Sequence, residues 1–425
     1  MTNIVLLTVD ALRADHLHCL GHPRPLTPRL DALAEESFLF TAAFANGPNT
    51  PYSMPALLLS RVVRRGIDVS TSLPRALRGR GYRTAAFNPN PVIFYRGAGP
   101  VWARWDQHFD HYDLMLSGQA RRRLFGDTLR IAALRSLREG LERGRGAGRR
   151  AYRLVFRLFE AWLSLTAMGL GSFRERAVPT GDELNARALN WLAAQKEPFF
   201  VWVHYMDVHD PYLPAQARIR RDDFRLLAKH REFPALLSPA EVGRLRWLYE
   251  ACVREVDTHI GAFLDALDAS GKGEKSLVIL ASDHGEAFGE HGDFGHGQTF
   301  RETLYDELLR VPLVVRGLGR RGRVGRTVQL LDLAPTACEA AGIDRPAAFR
   351  GRSLLEGGER GVVSNSKYHF SYRTAERKII LNKYERGKDE LYDLEADPGE
   401  TRNIAAGRPQ EFGRMRRALL AELRP

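Results

Sequence analysis

Cysteine is scarce in this chain. Cys19, Cys252 and Cys338 are the three thiols in 425 residues. Odd in number and widely scattered, they argue against a disulfide framework and lack the close spacing of a metal-binding set, which suits a reducing compartment. Long apolar runs are missing too. The first, Ile4 to Val9, is too short for the apolar core of a secretion signal, has no basic residues before it and ends in a carboxylate. No segment reaches the roughly 18 to 20 apolar residues of a membrane-spanning helix. The expectation is a soluble, cytoplasmic protein with neither signal peptide nor transmembrane helix. Internal repeats and low-complexity linkers are also absent. Acidic residues are in deficit, 51 against 63 Lys and Arg, a net +12. Such a balance favours an anionic partner without choosing among small anions, lipid headgroups and nucleic acid.

What is present is an alternation of short apolar runs with helical patterns. "NIVLLTVD", "RTAAF", "PFFVWVHYMD", "SLVILASDHG" and "RVPLVVR" are apolar on both faces, as parallel strands buried between two layers are. Helix starts are marked by Thr27 before Pro28 and by Thr180 with Glu183 three residues on, a capping box. Together these predict an α/β fold, a large, mostly parallel or mixed sheet flanked by helices. Residues 1–345 are read as that catalytic domain. Residues 346–425 are read as a small C-terminal α+β subdomain, from two short strands in "KIILNKYERGKDELYDL" and a final helix. An arginine-rich helical pattern over about 116–170 interrupts the alternation. It reads either as a packed excursion with a solvated face or as a basic amphipathic insertion meeting an anionic membrane surface.

Ligands of such sheets gather at the carboxyl ends of the strands. Three strand ends carry polar residues: Asp10, the stretch from His204 to His209, and Asp283-His284. A lone acidic strand end is usually a helix cap or an ion-pair partner, but three ends with Asp and His suggest a common site. Asp10, Asp283 and His284 are ligand types suited to Zn²⁺ or Mn²⁺. Thr50 and Ser53, at the junction of a small-residue loop with an apolar helix in "NGPNTPYSMPALLLSR", are candidate nucleophiles. A metal would acidify such a hydroxyl and offset the charge of a phosphate or sulfate ester.

The succession "VDALRADHLHCLG", "LTPRLDALAEES", "HYMDVHDPYLP", "SDHGEAFGEHGDFGHG", "RVPLVVR" and "LYDLEADPGETRNIA" resembles the sulfatases of the alkaline phosphatase superfamily, from residue 3 to about residue 405. The resemblance implies a large α/β domain with a small C-terminal sheet. It also implies one divalent metal on Asp10, Asp283 and His284, an anionic ester substrate, and a nucleophile at the start of the helix entered by "TPYSMPALLLSR". Sulfatases place there a Cys or Ser that is oxidised to formylglycine. Here Thr50 takes that position, and Met54 replaces the family's arginine, with Ser53 just before it. A threonine cannot become formylglycine. A Thr nucleophile is what the related phosphoethanolamine transferases present.

Other positions follow from the same resemblance. His209 matches an active-site histidine of the family. His296 stands where relatives keep a substrate-binding His or Lys, so Thr50, His209 and His296 form the expected catalytic set. Ser53, His204, Asn88, Asn90 and His291 are weaker candidates for the pocket wall, since turn formation or core packing explains each equally well. Where many sulfatases have two consecutive Asp, this chain has Asp10-Ala11. Fewer carboxylates and an imidazole favour Zn²⁺ or Mn²⁺ over Ca²⁺, which takes six or more oxygens. A phosphothreonine can be cleaved by water or an alcohol, whereas a sulfated threonine lacks the escape a formylglycine hydrate provides. The reading is therefore a metal-dependent hydrolase or transferase of phosphate or sulfate esters, with phosphate favoured by Thr50. Its alternatives are a phospho-alcohol headgroup transferase at a membrane and a catalytically silent anion-binding protein. Nucleic acid is not an expected partner.

Overall fold

The computed structural model describes residues 1–64, 67–90, 104–115, 179–196, 198–296, 302–319, 321–385 and 387–423. The basic segment 116–170, with its expected membrane contact, lies outside them. No helix of the described residues is long and apolar enough to cross a membrane.

Sixteen strands are described, numbered in chain order: β1 (Asn3–Val9), β2 (Phe38–Phe40), β3 (Ala43–Phe44), β4 (Arg83–Phe87), β5 (His111–Asp113), β6 (Phe199–Tyr205), β7 (Ser276–Ser282), β8 (Ala287–Phe288), β9 (Phe294–Gly295), β10 (Leu313–Arg316), β11 (Gly322–Val324), β12 (Val328–Gln329), β13 (Val362–Asn365), β14 (His369–Arg373), β15 (Arg377–Asn382) and β16 (Glu390–Asp393). Eight form the central sheet in the order β11-β2-β10-β7-β1-β6-β4-β5. From β7 to β5 every pairing is parallel. β10 runs antiparallel to both β7 and β2, which corrects the parallel reading of "RVPLVVR". A run apolar on both faces reports burial on two sides, and direction leaves no mark on it.

Alternation along the strands divides the core. Ile4 and Leu6 of β1 join the layer that holds the helix Thr50–Leu59, while Val5, Leu7 and Val9 face the layer of the helices Pro28–Glu35, Gly181–Ala194 and Pro239–Ala269. Thr180 caps its helix as expected, in a reciprocal box with Glu183. Thr27 precedes the helix Pro28–Glu35 without capping it. Its hydroxyl is drawn instead to the Asp31 carboxylate, 3.2 Å away.

The C-terminal sheet is antiparallel, β13-β14-β15-β16. β13 and β14 precede the two strands expected from sequence. Val362 and Ile380 face the main core, whereas Val363, Ile379 and Leu391 pack against Met415 and Leu419 of the helix Pro409–Glu422. Phe349 and Leu354, ahead of this sheet, belong to the main core.

Candidate active site

Register places three strand ends side by side. Val9, Tyr205 and Ser282, the last residues of β1, β6 and β7, are paired with one another across β1. The backbone N–H of Asp10 donates to the Tyr205 carbonyl at 2.8 Å and that of Asp283 to the Val9 carbonyl at 3.4 Å. Beyond Asp10 the chain turns sharply through Ala11, whose φ of 60° is a left-handed conformation that costs a non-glycine residue energy. The turn is held by the Tyr249 hydroxyl, which donates to the Ala11 carbonyl and accepts the Arg13 N–H. Arg13 in turn donates to the Glu286 carbonyl and pairs with Glu290, tying this turn to the loop after β7.

Thr50 is the first residue of the helix Thr50–Leu59. Its hydroxyl oxygen lies 3.3 Å from Asp10 Oδ2, 3.2 Å from Asp283 Oδ2 and 3.4 Å from His284 Nε2. Asn90 Nδ2 is 3.4 Å away and donates to Asp10 Oδ2 at 2.8 Å. Asp10, Thr50, Asn90, Asp283 and His284 are all buried. The hydroxyl expected as nucleophile and the residues expected as ligands thus share one pocket.

Electrostatics in this pocket are set by two carboxylates that lie close together away from water. Burial pushes Asp10 up, but the charge of His209 and the imidazoles of His204 and His284 outweigh it, and Asp10 is held well below the usual carboxylate range. Asp283 is pushed up, by burial and by Asp10. Burial disfavours the charged form of His284, yet Asp283 and Asp10 prevail and push it up to about 9. Asp10 Oδ1 is buried with no hydrogen bond, His284 Nε2 being 3.3 Å from it. Two sets of ligand-type atoms lie within 4.8 Å of one another: Asp10, His284 and His296, and Asp10, His204 and Asp283. An unsatisfied buried carboxylate oxygen facing imidazoles and a second carboxylate fits a divalent cation.

The remaining expectations divide. The His296 ring sits 4.4 Å from that of His284 and 4.8 Å from that of His209, centroid to centroid, so both expected substrate histidines border the pocket. His204 is fully buried at the end of β6 with Nε2 3.3 Å from Asp10 Oδ2. Asn88 Oδ1 accepts the backbone N–H of Asn90 at 2.8 Å, shaping the turn that presents Asn90. Ser53 turns away, its hydroxyl donating to the Asn49 carbonyl one helical turn back. The assignment of His291 to the pocket is corrected. Its Nδ1 bonds Glu307, its Nε2 reaches the carbonyls of Gly399 and Glu400, and its ring stacks on Tyr305. Both nitrogens are thereby used in joining the loop after β7 to the C-terminal region.

Sequence reasoning missed Glu286. Fully buried, it places both carboxylate oxygens 3.1 Å from His296 Nδ1. Burial pushes Glu286 up, but His296 outweighs it and holds it low, and Glu286 in turn raises His296 against burial. In "SDHGEAFGEHGDFGHG" nothing distinguishes Glu286 from Glu290 or Asp293. Only its spacing of two residues past His284 gave a clue.

The family description "Sulfatase" matches residues 2–343, and "N-sulphoglucosamine sulphohydrolase, C-terminal" matches residues 289–424. The chain is 31% identical over 289 residues to an uncharacterized sulfatase, YidJ, of Escherichia coli (strain K12), an overlap of 58% of this chain and 57% of that one. With arylsulfatase K of Bos taurus it shares 30% over 195 residues, covering 40% of this chain and 35% of that one. It thus spans little more than half of the first relative and about a third of the second. Among solved structures, the phosphonate monoester hydrolase of Agrobacterium radiobacter superposes with a TM-score of 0.68 at 21% identity, covering 99% of this chain and 95% of that one. That likeness speaks for the fold.

Proposed function

The chain belongs to the sulfatase family, and from that premise we propose that it cleaves phosphate or sulfate esters, phosphate in preference, through a covalent intermediate on Thr50. One observation carries this reading: the Thr50 hydroxyl lies within 3.4 Å of Asp10, Asp283 and His284 at the entrance of a helix. The positive end of the helix dipole favours an anion there. Asp10, Asp283 and His284 would hold one divalent cation, Zn²⁺ or Mn²⁺ in preference to Ca²⁺. When bound, the cation lowers the pKa of a hydroxyl and offsets charge on the ester oxygens.

In this reading Thr50 Oγ1 bonds to phosphorus as the ester oxygen departs. Its proton is taken up by the carboxylate and imidazole groups around it, and His209 or His296 supplies a proton to the leaving oxygen. Water then cleaves the phosphothreonine and restores the hydroxyl. Formylglycine has no part in this, because position 50 carries no thiol or primary hydroxyl.

The test is turnover of an aryl phosphate, an aryl phosphodiester and an aryl sulfate by the metal-loaded protein and its variants. Thr50→Ala is expected to lose on the order of 10³-fold or more in kcat on every ester the parent cleaves. Ser53→Ala is expected to stay within a few-fold of the parent. Unchanged turnover in Thr50→Ala would exclude Thr50 as the nucleophile.

A further inference from the structure

Two strand-end histidines face Asp10, and their second ring nitrogens are held in opposite ways. His284 Nδ1 lies 2.8 Å from the Gly285 carbonyl oxygen. A carbonyl can only accept, so Nδ1 carries a proton; the second proton of the charged ring sits on Nε2, and its loss, which metal binding would require, leaves the Nε2 lone pair facing Asp10, Asp283 and Thr50. His204 Nδ1 instead lies 2.8 Å from Thr8 Oγ1. The same oxygen takes the indole N–H of Trp202, also at 2.8 Å. An indole can only donate, which leaves the Thr8 hydroxyl hydrogen to be placed. Among the described residues its acceptor is His204 Nδ1. Trp202, Thr8 and His204 are fully buried, out of reach of bulk solvent. Any other assignment strands a buried hydroxyl donor, at a cost of about 1–3 kcal/mol.

Donation therefore runs in one direction, from Trp202 to Thr8 and from Thr8 to His204. Nδ1 accepts, the proton sits on Nε2, and Nε2–H donates to Asp10 Oδ2 at 3.3 Å. Asn90 Nδ2 donates to the same oxygen at 2.8 Å and the Thr50 hydroxyl reaches it at 3.3 Å. Asp10 Oδ1 makes no hydrogen bond and faces His284 Nε2 at 3.3 Å. We propose that His204 is a positioning residue and not a metal ligand. The Trp202-Thr8 relay fixes its Nε2–H tautomer so that, with Asn90, it clamps Asp10 Oδ2 and leaves Oδ1 as the oxygen offered to a cation. Proximity alone would have counted His204 with Asp10 and Asp283 as a ligand set. The proton on Nε2 occupies the lone pair that a ligand needs. Outer partners of this kind commonly set metal affinity by about 10–100-fold.

The tautomer stands by itself; only the role of Oδ1 rests on Asp10 being a ligand. The experiment is a long-range ¹H–¹⁵N correlation spectrum of the full chain labelled at histidine, recorded metal-free and with saturating Zn²⁺. His204 is assigned by loss of its signals in His204→Gln, or by their displacement in Thr8→Ser if the first variant does not fold. The expected result is a protonated Nε2 and a bare Nδ1 in both states. A protonated Nδ1, or an Nε2 shifted to a zinc-bound position, overturns the proposal. Zinc affinity by chelator competition gives a second arm. His204→Gln retains an amide donor toward Asp10 and is expected to weaken binding about 10-fold or less, His204→Ala about 10–100-fold. A loss beyond about 10³-fold in His204→Gln would make His204 a ligand. No zinc binding by the parent protein would overturn the metal reading of Asp10, while the metal-free spectrum still decides the relay.

Discussion

At the residue scale, the pocket depends on how side chains behind it are held. Glu286 takes both of its oxygens to His296 Nδ1 and is buried there. A carboxylate in that place orients an imidazole and fixes which nitrogen faces the substrate, as second partners of functional histidines do. Glu286→Gln is expected to lower kcat/KM about 10–100-fold with an unchanged melting temperature, read from steady-state kinetics beside a thermal melt. A variant with full activity would remove Glu286 from the account. Ligand types at strand ends were legible in the sequence because Asp10 and Asp283 each follow a largely apolar strand, and such an ending places a polar group at the carboxyl end of the sheet. Glu286 was not legible, since the loop that carries it also carries Glu290, His291 and Asp293, and composition cannot say which side chain turns inward. His291 was misplaced for the same reason.

At the scale of elements, the loop after β7 is laid directly on the short helix Asp306–Leu309. The N–H groups of Gly285 and Glu286 donate to the carbonyls of Leu308 and Glu307, at 2.8 and 3.1 Å. A Cβ built on Gly285 would stand 2.1 Å from the Glu307 carbonyl oxygen. Backbone cannot give way as a flexible side chain can. Gly285→Ala is therefore expected to push the loop off this helix and displace His284, with metal affinity falling at least about 10-fold and the melting temperature dropping as well. Binding of Zn²⁺ at parental affinity would show that the loop tolerates the shift. The strands that build the site could be read from sequence because each is apolar on both faces. Antiparallel β10 misled because burial looks the same in either direction, and β14, "HFSYR", has only its central serine buried and so lacks an apolar run.

For the whole molecule, the C-terminal sheet is tied to the catalytic core partly through His291. Burial lowers the pKa of this ring, but Glu307 and the Glu400 carbonyl outweigh it and push it up to about 9. A folded-state pKa above the unfolded value of about 6.5 stabilises the fold fully below pH 6.5. That contribution is lost as pH rises through 9. Its size is on the order of 1–2 kcal/mol, allowing for the solvent that reaches a half-buried pair. Urea unfolding of the parent and of His291→Gln between pH 6 and 10 is expected to show the parent losing this excess stability on the alkaline side. A difference between the two proteins that does not vary with pH would separate His291 from the joint.

The central claim is that Thr50 forms the covalent intermediate. Its most direct test is acid-quenched single turnover of the metal-loaded protein with an aryl phosphodiester or phosphate, followed by peptide mass analysis. The account predicts one phosphoryl group on Thr50, absent from Thr50→Ala and absent without metal. Turnover that leaves Thr50 unmodified at every quench time, or a phosphoryl group on Ser53 instead, would contradict it.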